Sequence, residues 1–557
     1  MRSLKPILGG LAVIATSLAA ATVALAMTSV ESQANNPQVA NDATSDTTAV
    51  FPTNKQNEPT IAVNPINSRY LIAGANDEQQ QPPCGPGPVR GPTVTSDCSF
   101  FPGVGTAGIY TSSDGGAHWT NRGLLDQQAG WAGTGVLSDG DPVIAYGPKP
   151  KPGGGFTFAN GARAYYSTLG SISGVKGSEY VVVTYSDDNG ITWSAPVVGT
   201  VKTSNVDFND KNWITVDTSP DSLYFGRVYL SWTEFRSNTS TGNGSEPLMV
   251  SVSSDGGRSF GSPNQLSPAG NNGTGNGRQG SSDTVGPDGT AYVAFEQGFS
   301  QVVVVSPDGG KSWTRPITIG AVADISDPIP GANFRTDSFP TIAADPRPGS
   351  TTVYASWSNR TVDGGRIVVA TSTDRGAHWG APVQVSGNEG YAFFQGLDVA
   401  SNGRVDLAYQ ALVAVDPARF GTGNASIDAY AVSKPAGGAW TSPTKITTES
   451  SDPAASAQNN LKRQFWGDYN TLVSDAAGAW FIFTDSRNGV GCGDVDAYQK
   501  YLRDNGLATH GDFVDRLSVR TTGVNPALSA PSQKPAPGVV CPAQFGNTDA
   551  MTVRIIP

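Results

Sequence analysis

Histidine is almost missing from this 557-residue chain: there are three, and His118 and His378 fall inside a repeated turn, which leaves only His510 to support imidazole chemistry. Cysteine is scarce too. The four have no C-x-x-C spacing, which argues against a thiolate zinc site and for two disulfides in an exported chain. Cys84 with Cys98 and Cys492 with Cys541 is the most local pairing. No run of Lys or Arg occurs, and the formal charge is -11, so a phosphate backbone would be repelled and nucleic acid is excluded as a partner. Long apolar runs are lacking after the first 26 residues. With 38% hydrophobic residues, 67 Gly and 39 Pro, the composition favours many short strands over helices.

The N-terminus is the exception. Arg2 and Lys5 precede an apolar stretch from Ile7 to Leu25 that ends in Ala24-Leu25-Ala26, the three parts of a secretory signal. Cleavage is expected after Ala26, giving a secreted protein with no stable membrane insertion. Residues 27–50 are polar and poor in aromatics, which predicts a flexible leader. Residues 51–557 then form one domain, expected to be monomeric.

What is present in abundance is repetition. Five segments fit S-x-D-x-G-x-x-W/F: Ser112–Trp119, Ser186–Trp193, Ser253–Phe260, Ser306–Trp313 and Ser372–Trp379. A sixth, Ser433–Trp440, has Pro435 in place of the Asp. In such a turn the Ser and Asp side chains bind nearby amides, Gly supplies positive φ and the aromatic packs beneath. Asp114, Asp188, Asp255, Asp308 and Asp374 are therefore expected to be structural.

A second repeat precedes each turn, an apolar strand followed by one rich in Tyr, Trp and Ala. It begins clearly at Glu58, Asn212 and Phe339, and more weakly near Asp141, Ser282, Gly396 and Tyr469. The combined unit predicts an all-β fold, a β-propeller of four-stranded antiparallel blades, seven by this count and six as the alternative. Asp494–Leu502 and Asp549–Ile556 are expected as the outer strands of the last blade.

In a propeller the residues just before first strands and just after second strands share one face, where a site would lie. They include Glu58, Asp139, Asp141, Asp210, Lys211, Arg278, Arg335, Asp337, Gln395, Arg463, Trp466, Asp468 and Tyr469, then Asp77, Glu234, Glu296, Arg360, Asp485 and Arg487. Arginine offers a planar fork suited to a carboxylate, so several converging Arg would suit an acidic sugar. Asp and Asn are scattered at hairpin spacings rather than in an EF-hand loop, so neither a metal nor another cofactor is expected.

From Asn57 to Pro557 the S-x-D-x-G turns resemble the Asp boxes of the sialidase superfamily. The resemblance implies a glycoside hydrolase, an exo-sialidase acting on acidic extracellular glycans with three Arg on the substrate carboxylate, an acid/base Asp, and a Tyr nucleophile assisted by Glu. Tyr469 in DYNTL resembles the nucleophile's setting. Arg278, Arg335, Arg463 and Arg487 are the candidate clamp, Glu234 or Glu296 the candidate assistant, Asp77 or Asp141 the candidate acid, and Trp466 a stacking surface. Unlike the family's first blade, Asn57-Glu58-Pro59-Thr60 has no Arg two residues before the Pro. A uronate lyase and a non-catalytic glycan- or protein-binding propeller remain open alternatives.

Overall fold

The S-x-D-x-G turns fold as their chemistry predicts. In a computed structural model, which describes residues 27–37, 55–78, 105–172, 180–200, 207–237, 244–269, 278–459, 463–504, 542 and 544–557, each Asp is tied into its own turn. Asp188 Oδ1 accepts the amides of Ile191 and Thr192 at 3.1 and 2.9 Å, and the Ser186 hydroxyl donates to it at 2.8 Å. Trp193 then packs edge-on against Tyr166, ring centres 5.7 Å apart. Hydrogen bonds from the Ser312 hydroxyl and amide hold Asp308 down to about 2. These acids are ionised acceptors, unsuited to donating a proton.

Each turn closes an antiparallel meander, and the meanders are four-stranded blades. Five stand as separate sheets. Their main strands are Gln56–Val63, Leu71–Asp77, Gly108–Ser112 and Thr120–Leu124; Val136–Pro150, Phe156–Ile172, Tyr180–Ser186 and Val197–Val198; Phe208–Val216, Val228–Ser237, Leu248–Ser253 and Asn264–Gln265; Arg278–Val285, Ala291–Gln297, Ser300–Ser306 and Ile317–Ala321; and Thr471–Ser474, Ala479–Asp485, Asp549–Ile556 and Thr28–Gln33. The expectation of seven, or six, separate sheets is not met. Strands from Thr341–Ala344 to Thr444–Lys445 form one eight-stranded sheet, joined in the middle by a parallel pairing of Gly365 with Tyr391. The join needs glycine: a Cβ on Gly390 would lie 2.3 Å from the Leu412 carbonyl.

Two expectations at the chain ends are corrected. Residues 27–50 were expected as a flexible leader; of these, residues 38–50 lie outside the described residues, whereas Thr28–Gln33 is a strand that pairs over its whole length with Asp549–Ile556, from Thr28 opposite Ile556 to Gln33 opposite Met551. Its polar composition suits this place, since it is an outermost strand with exposed residues along half its length. Segment Asp494–Leu502 is not an outer strand but belongs to a helix, Gly493–Asp504, with Asp494 and Asp496 in its first turn and Arg503 in its last, the arrangement the helix dipole favours. No helix among the described residues is long and apolar enough to cross a membrane. Cys492 is buried, whereas Cys84, Cys98 and Cys541 lie outside the described residues, as do residues 1–26.

The inner strands surround a central cavity of about 310 Å³, lined by Thr60–Val63, Val143–Tyr146, Trp213–Val216, Ser282–Val285, Thr341–Ala344, Leu397–Val399 and Thr471–Val473. Hydrophobic clusters between neighbouring sheets hold them together, such as Trp357 and Ile319 or Trp232 and Val181. Burial of this kind stabilises by roughly 25 cal/mol per Å² of apolar surface. The order sheet, channel and mouth is thereby fixed.

Candidate functional site at the channel mouth

A shared irregularity builds the mouth. Inner strands carry a register shift just before their regular part, at Asn57/Thr60, Gly140/Val143, Asp210/Trp213, Gln279/Ser282 and Phe393/Gly396. Four non-glycine residues at these bulges have positive φ: Glu58 (51°), Asp141 (52°), Lys211 (51°) and Phe394 (48°). Such backbone costs on the order of 1 kcal/mol or more per residue, and a bulge re-aims the side chain it carries. Here the effect is to gather charged groups at one end of the channel.

Asp141 is the centre of the gathering. Its carboxyl lies beside those of both Glu58 and Asp210. Its Oδ2 also accepts the Lys211 amide at 2.8 Å, and its own amide donates to Asn76 Oδ1 at 3.0 Å. Asn76 Nδ2 in turn donates to Glu58 Oε2 at 2.9 Å. Gly467 passes so close that a Cβ there would lie 2.8 Å from Glu58 Cγ. On the more open side, Arg335 forms a bidentate pair with Asp468 at 2.6 and 2.5 Å. The Lys211 ammonium lies 4.0 Å from the centre of the Tyr469 ring and 4.7 Å from that of Trp213, both within cation–π range.

Burial sets the charges. It drives the Glu58 and Asp210 carboxyls well above the usual carboxylate range, and the neighbouring Asp141 pushes the same way. Burial lowers the Lys211 ammonium against the opposing pull of Asp141, Glu58, Asp468 and Asp210. Burial, followed by Asp141 and Glu58, raises the Tyr469 phenol. Two carboxyls biased toward their protonated form thus flank Asp141. Below the mouth the neck between Lys211, Trp213, Phe339, Phe394 and Tyr469 holds a cavity of about 20 Å³.

This electrostatic strain has a measurable consequence. A carboxyl whose folded pKa is raised binds its proton more tightly in the native state, so its contribution favours folding at low pH and is lost as pH rises from the unfolded range near ~4 through the folded pKa. Asp210→Asn is expected to raise the melting temperature at pH 8 and leave it nearly unchanged at pH 4, by removing a buried acid that must otherwise ionise. Thermal unfolding across that interval checks it; equal shifts at both ends would sink it.

The other residues singled out from sequence lie elsewhere. Asp77 is buried and accepts the Tyr110 hydroxyl at 2.7 Å and Gln56 Nε2 at 3.0 Å. Glu234 pairs with Arg236 at 3.1 Å, while Glu296 lies with Asp324 and Asp337 in a separate group. Of the four arginines expected as a clamp, Arg335 stands at the mouth, engaged by Asp468. Arg487 is held by Asp485 and Glu31, the backbone amide of Arg278 donates to Glu246 at 3.1 Å, and Arg463 begins a strand of a separate two-stranded ribbon. Trp466 offers no stacking surface: it is fully buried, stacks on Phe334 and donates to Gln410 Oε1 at 2.9 Å. Tyr469 stands in the mouth beside Asp141, but its hydroxyl donates to the Pro142 carbonyl at 3.0 Å, and neither candidate Glu is its partner. Glu58, Asp210 and Lys211 went without a role in the sequence reading. The signal for Glu58 and Lys211 is position, the place that Asp141 holds in its own repeat: EPTIAV, DPVIAY and KNWITV.

No protein-family model matches the chain, and no curated protein matches it. Similar solved structures include the Hadza microbial sialidase Hz136, at 14% identity over 65% of each chain with a TM-score of 0.37. The aligned part thus spans 65% of that sialidase's length. They also include the NanB sialidase from Streptococcus pneumoniae, at 10% identity over 68% of this chain and 67% of the other with a TM-score of 0.38. A third is an α-L-arabinanase from Penicillium chrysogenum, at 15% identity over 69% and 93% with a TM-score of 0.41. In fold the chain is an all-β propeller of four-stranded antiparallel blades.

Proposed function

We propose that the protein processes extracellular glycans by general acid–base chemistry at Glu58, Asp141 and Asp210, with a neutral sugar at the reacting position. The observation that carries this reading is Asp141 held between two buried carboxyls at the channel mouth. Cleavage of a glycosidic bond needs a carboxylic acid that keeps its proton near neutral pH and a second carboxylate beside it. Glu58 and Asp210 meet the first need by burial.

The sialidase reaction suggested by the turns is supported less well. Four carboxyls, Glu58, Asp141, Asp210 and Asp468, face Lys211 and Arg335, and Arg335 is already engaged by Asp468. With the Glu58 and Asp210 carboxyls biased toward their neutral form, Lys211 and Arg335 are matched by Asp141 and Asp468, so the mouth offers no surplus positive charge to hold a sialic or uronic carboxylate. The same balance weighs against a uronate lyase. Reading the eight-stranded sheet as two blades joined edge to edge gives seven inner strands, hence seven blades, around the channel. Export with cleavage after Ala26 would leave Met27 directly before the strand Thr28–Gln33.

The test is a panel of chromogenic glycosides, comprising neutral pyranosides and furanosides, uronides and sialosides, assayed across about pH 4 to 8, where carboxyl pairs work. Turnover confined to neutral glycosides is the expected result. Turnover of sialosides alone, or saturable glycan binding with no product, would overturn it in favour of the sialidase or of a non-catalytic receptor.

A further inference from the structure

We propose that Lys211 is the positioning residue of the channel mouth, its ammonium the counter-charge that lets Glu58, Asp141 and Asp210 hold one carboxylate beside two neutral acids, a role that rests on the acid–base reading given above. Glu58, Asp141 and Lys211 stand at the bulges of three inner strands, Gln56–Val63, Val136–Pro150 and Phe208–Val216, with φ of 51°, 52° and 51°. The middle strand packs against both of the others, so Asp141 has the bulge of Glu58 on one side and that of Lys211 on the other. The Lys211 backbone holds two of the acids at once. Its amide donates to Asp141 Oδ2 and to Asp210 Oδ1, both at 2.8 Å, and its carbonyl accepts the Ser281 hydroxyl at 3.0 Å.

The side chain is placed with equal definition. It is 3% exposed and lines the neck, and its ammonium lies over the rings of Tyr469 and Trp213. Among the described residues that ammonium makes neither an ion pair nor a hydrogen bond. Arg335, by contrast, is cancelled locally by Asp468. A buried cation without a direct partner projects its field over every carboxyl around it, because little solvent screens it. The groups that feel it are Asp141, Glu58, Asp468 and Asp210 at the mouth, the Tyr469 phenol, and Asp283 deeper in the channel, with Asp337 on the wall of the same neck.

Burial of a carboxyl favours its neutral form, and three neutral acids would supply no base. A positive charge held beside them offsets that preference for one of the three. Tyr469 thereby gains a use other than as a nucleophile: its ring and that of Trp213 seat the ammonium close to the acids without pairing it to any of them.

Carbon NMR decides the matter, on protein labelled at the Asp and Glu carboxyls and at Lys Cε, with resonances assigned by their loss in Glu58→Gln, Asp210→Asn and Lys211→Met. Lys211→Met keeps the length of the stem and removes the charge. It is expected to raise the titration midpoints of the Glu58, Asp141 and Asp210 group by on the order of 1 pH unit, the effect of taking away one nearby opposite charge. Lys211→Gln is a second neutral variant with the same expected result, and Lys211→Arg, which keeps the charge, is expected to hold the midpoints in place. In the unmodified protein Lys211 is expected to stay charged across about pH 4 to 8, and where a neutral glycoside is turned over the acid limb of kcat/KM should move with the carboxyl midpoints. Midpoints unmoved in both neutral variants, or an uncharged Lys211 within that interval, overturn the role of Lys211. Midpoints that move while no glycoside is turned over uphold Lys211 as the counter-charge and remove the glycosidase reading instead.

Discussion

Deleting residues 27–37 is expected to abolish stable folding of the remaining propeller. Thr28–Gln33 is the outermost strand of a sheet whose other three strands come from the far end of the chain. It is bonded beyond its own sheet as well. Trp119 donates from Nε1 to Ser32 Oγ at 3.1 Å, and the Ser32 hydroxyl donates to the Gly116 carbonyl at 2.6 Å, so the strand reaches the turn of the neighbouring sheet. Glu31 meets Arg487 at 2.9 Å, with both side chains about nine-tenths buried. Removing the segment exposes the edge of Asp549–Ile556, unseats Trp119 and leaves Arg487 with Asp485 alone. Losses of this kind sum to on the order of 5 kcal/mol or more, comparable with the whole stability of many domains. An open edge also invites pairing between molecules. The deleted protein should therefore aggregate on expression, and a peptide spanning residues 27–37 supplied in trans should restore a soluble monomer by strand addition. Size-exclusion chromatography with and without the peptide decides it; a deleted chain that is monomeric and melts like the intact one refutes the closing role.

Asp141→Asn is expected to lower kcat by about 10²- to 10⁴-fold on whichever neutral glycoside is turned over, the usual contribution of a positioned acid or base. The substitution is unusually clean. Asn accepts positive φ at least as readily as Asp, so the strained backbone at 52° is kept. What changes is the ability to exchange protons with Glu58 and Asp210 on either side. Because a half-buried carboxyl crowded by two others is replaced by a neutral amide, thermal stability should hold or rise while turnover falls, the mark of a site whose strain serves function. Parallel loss of melting temperature and activity would instead assign Asp141 a structural role.

The blades were legible because a single turn needs few residues and all of them are local: Ser, Asp, Gly and an aromatic within eight positions. The closing strand was not. Its partner lies some five hundred residues away, and TSVESQ has no apolar alternation strong enough to announce a strand. The helix Gly493–Asp504 had its own signals, acids at one end, Arg503 at the other, and buried Val495 and Leu502 seven residues apart. They were outweighed by the need to find outer strands for the last blade. At the mouth, the sequence placed the right residues on the right face but could not pool them. Glu, Asp and Lys rarely adopt positive φ, and without that bulge nothing in the spacing says that Glu58, Asp141 and Asp210 touch. Of the arginines, Arg335 and Arg487 are taken up by distant acids, Asp468 and Glu31, which no local spacing announces.

The narrow neck under the mouth bears on how a polymer could be handled. Lys211 lying against the rings of Tyr469 and Trp213, with Phe339 and Phe394 beside them, leaves about 20 Å³, room for a water molecule and nothing larger. A sugar ring does not fit that gap, so a substrate of the kind proposed would have to meet Asp141 from the outer face of the propeller.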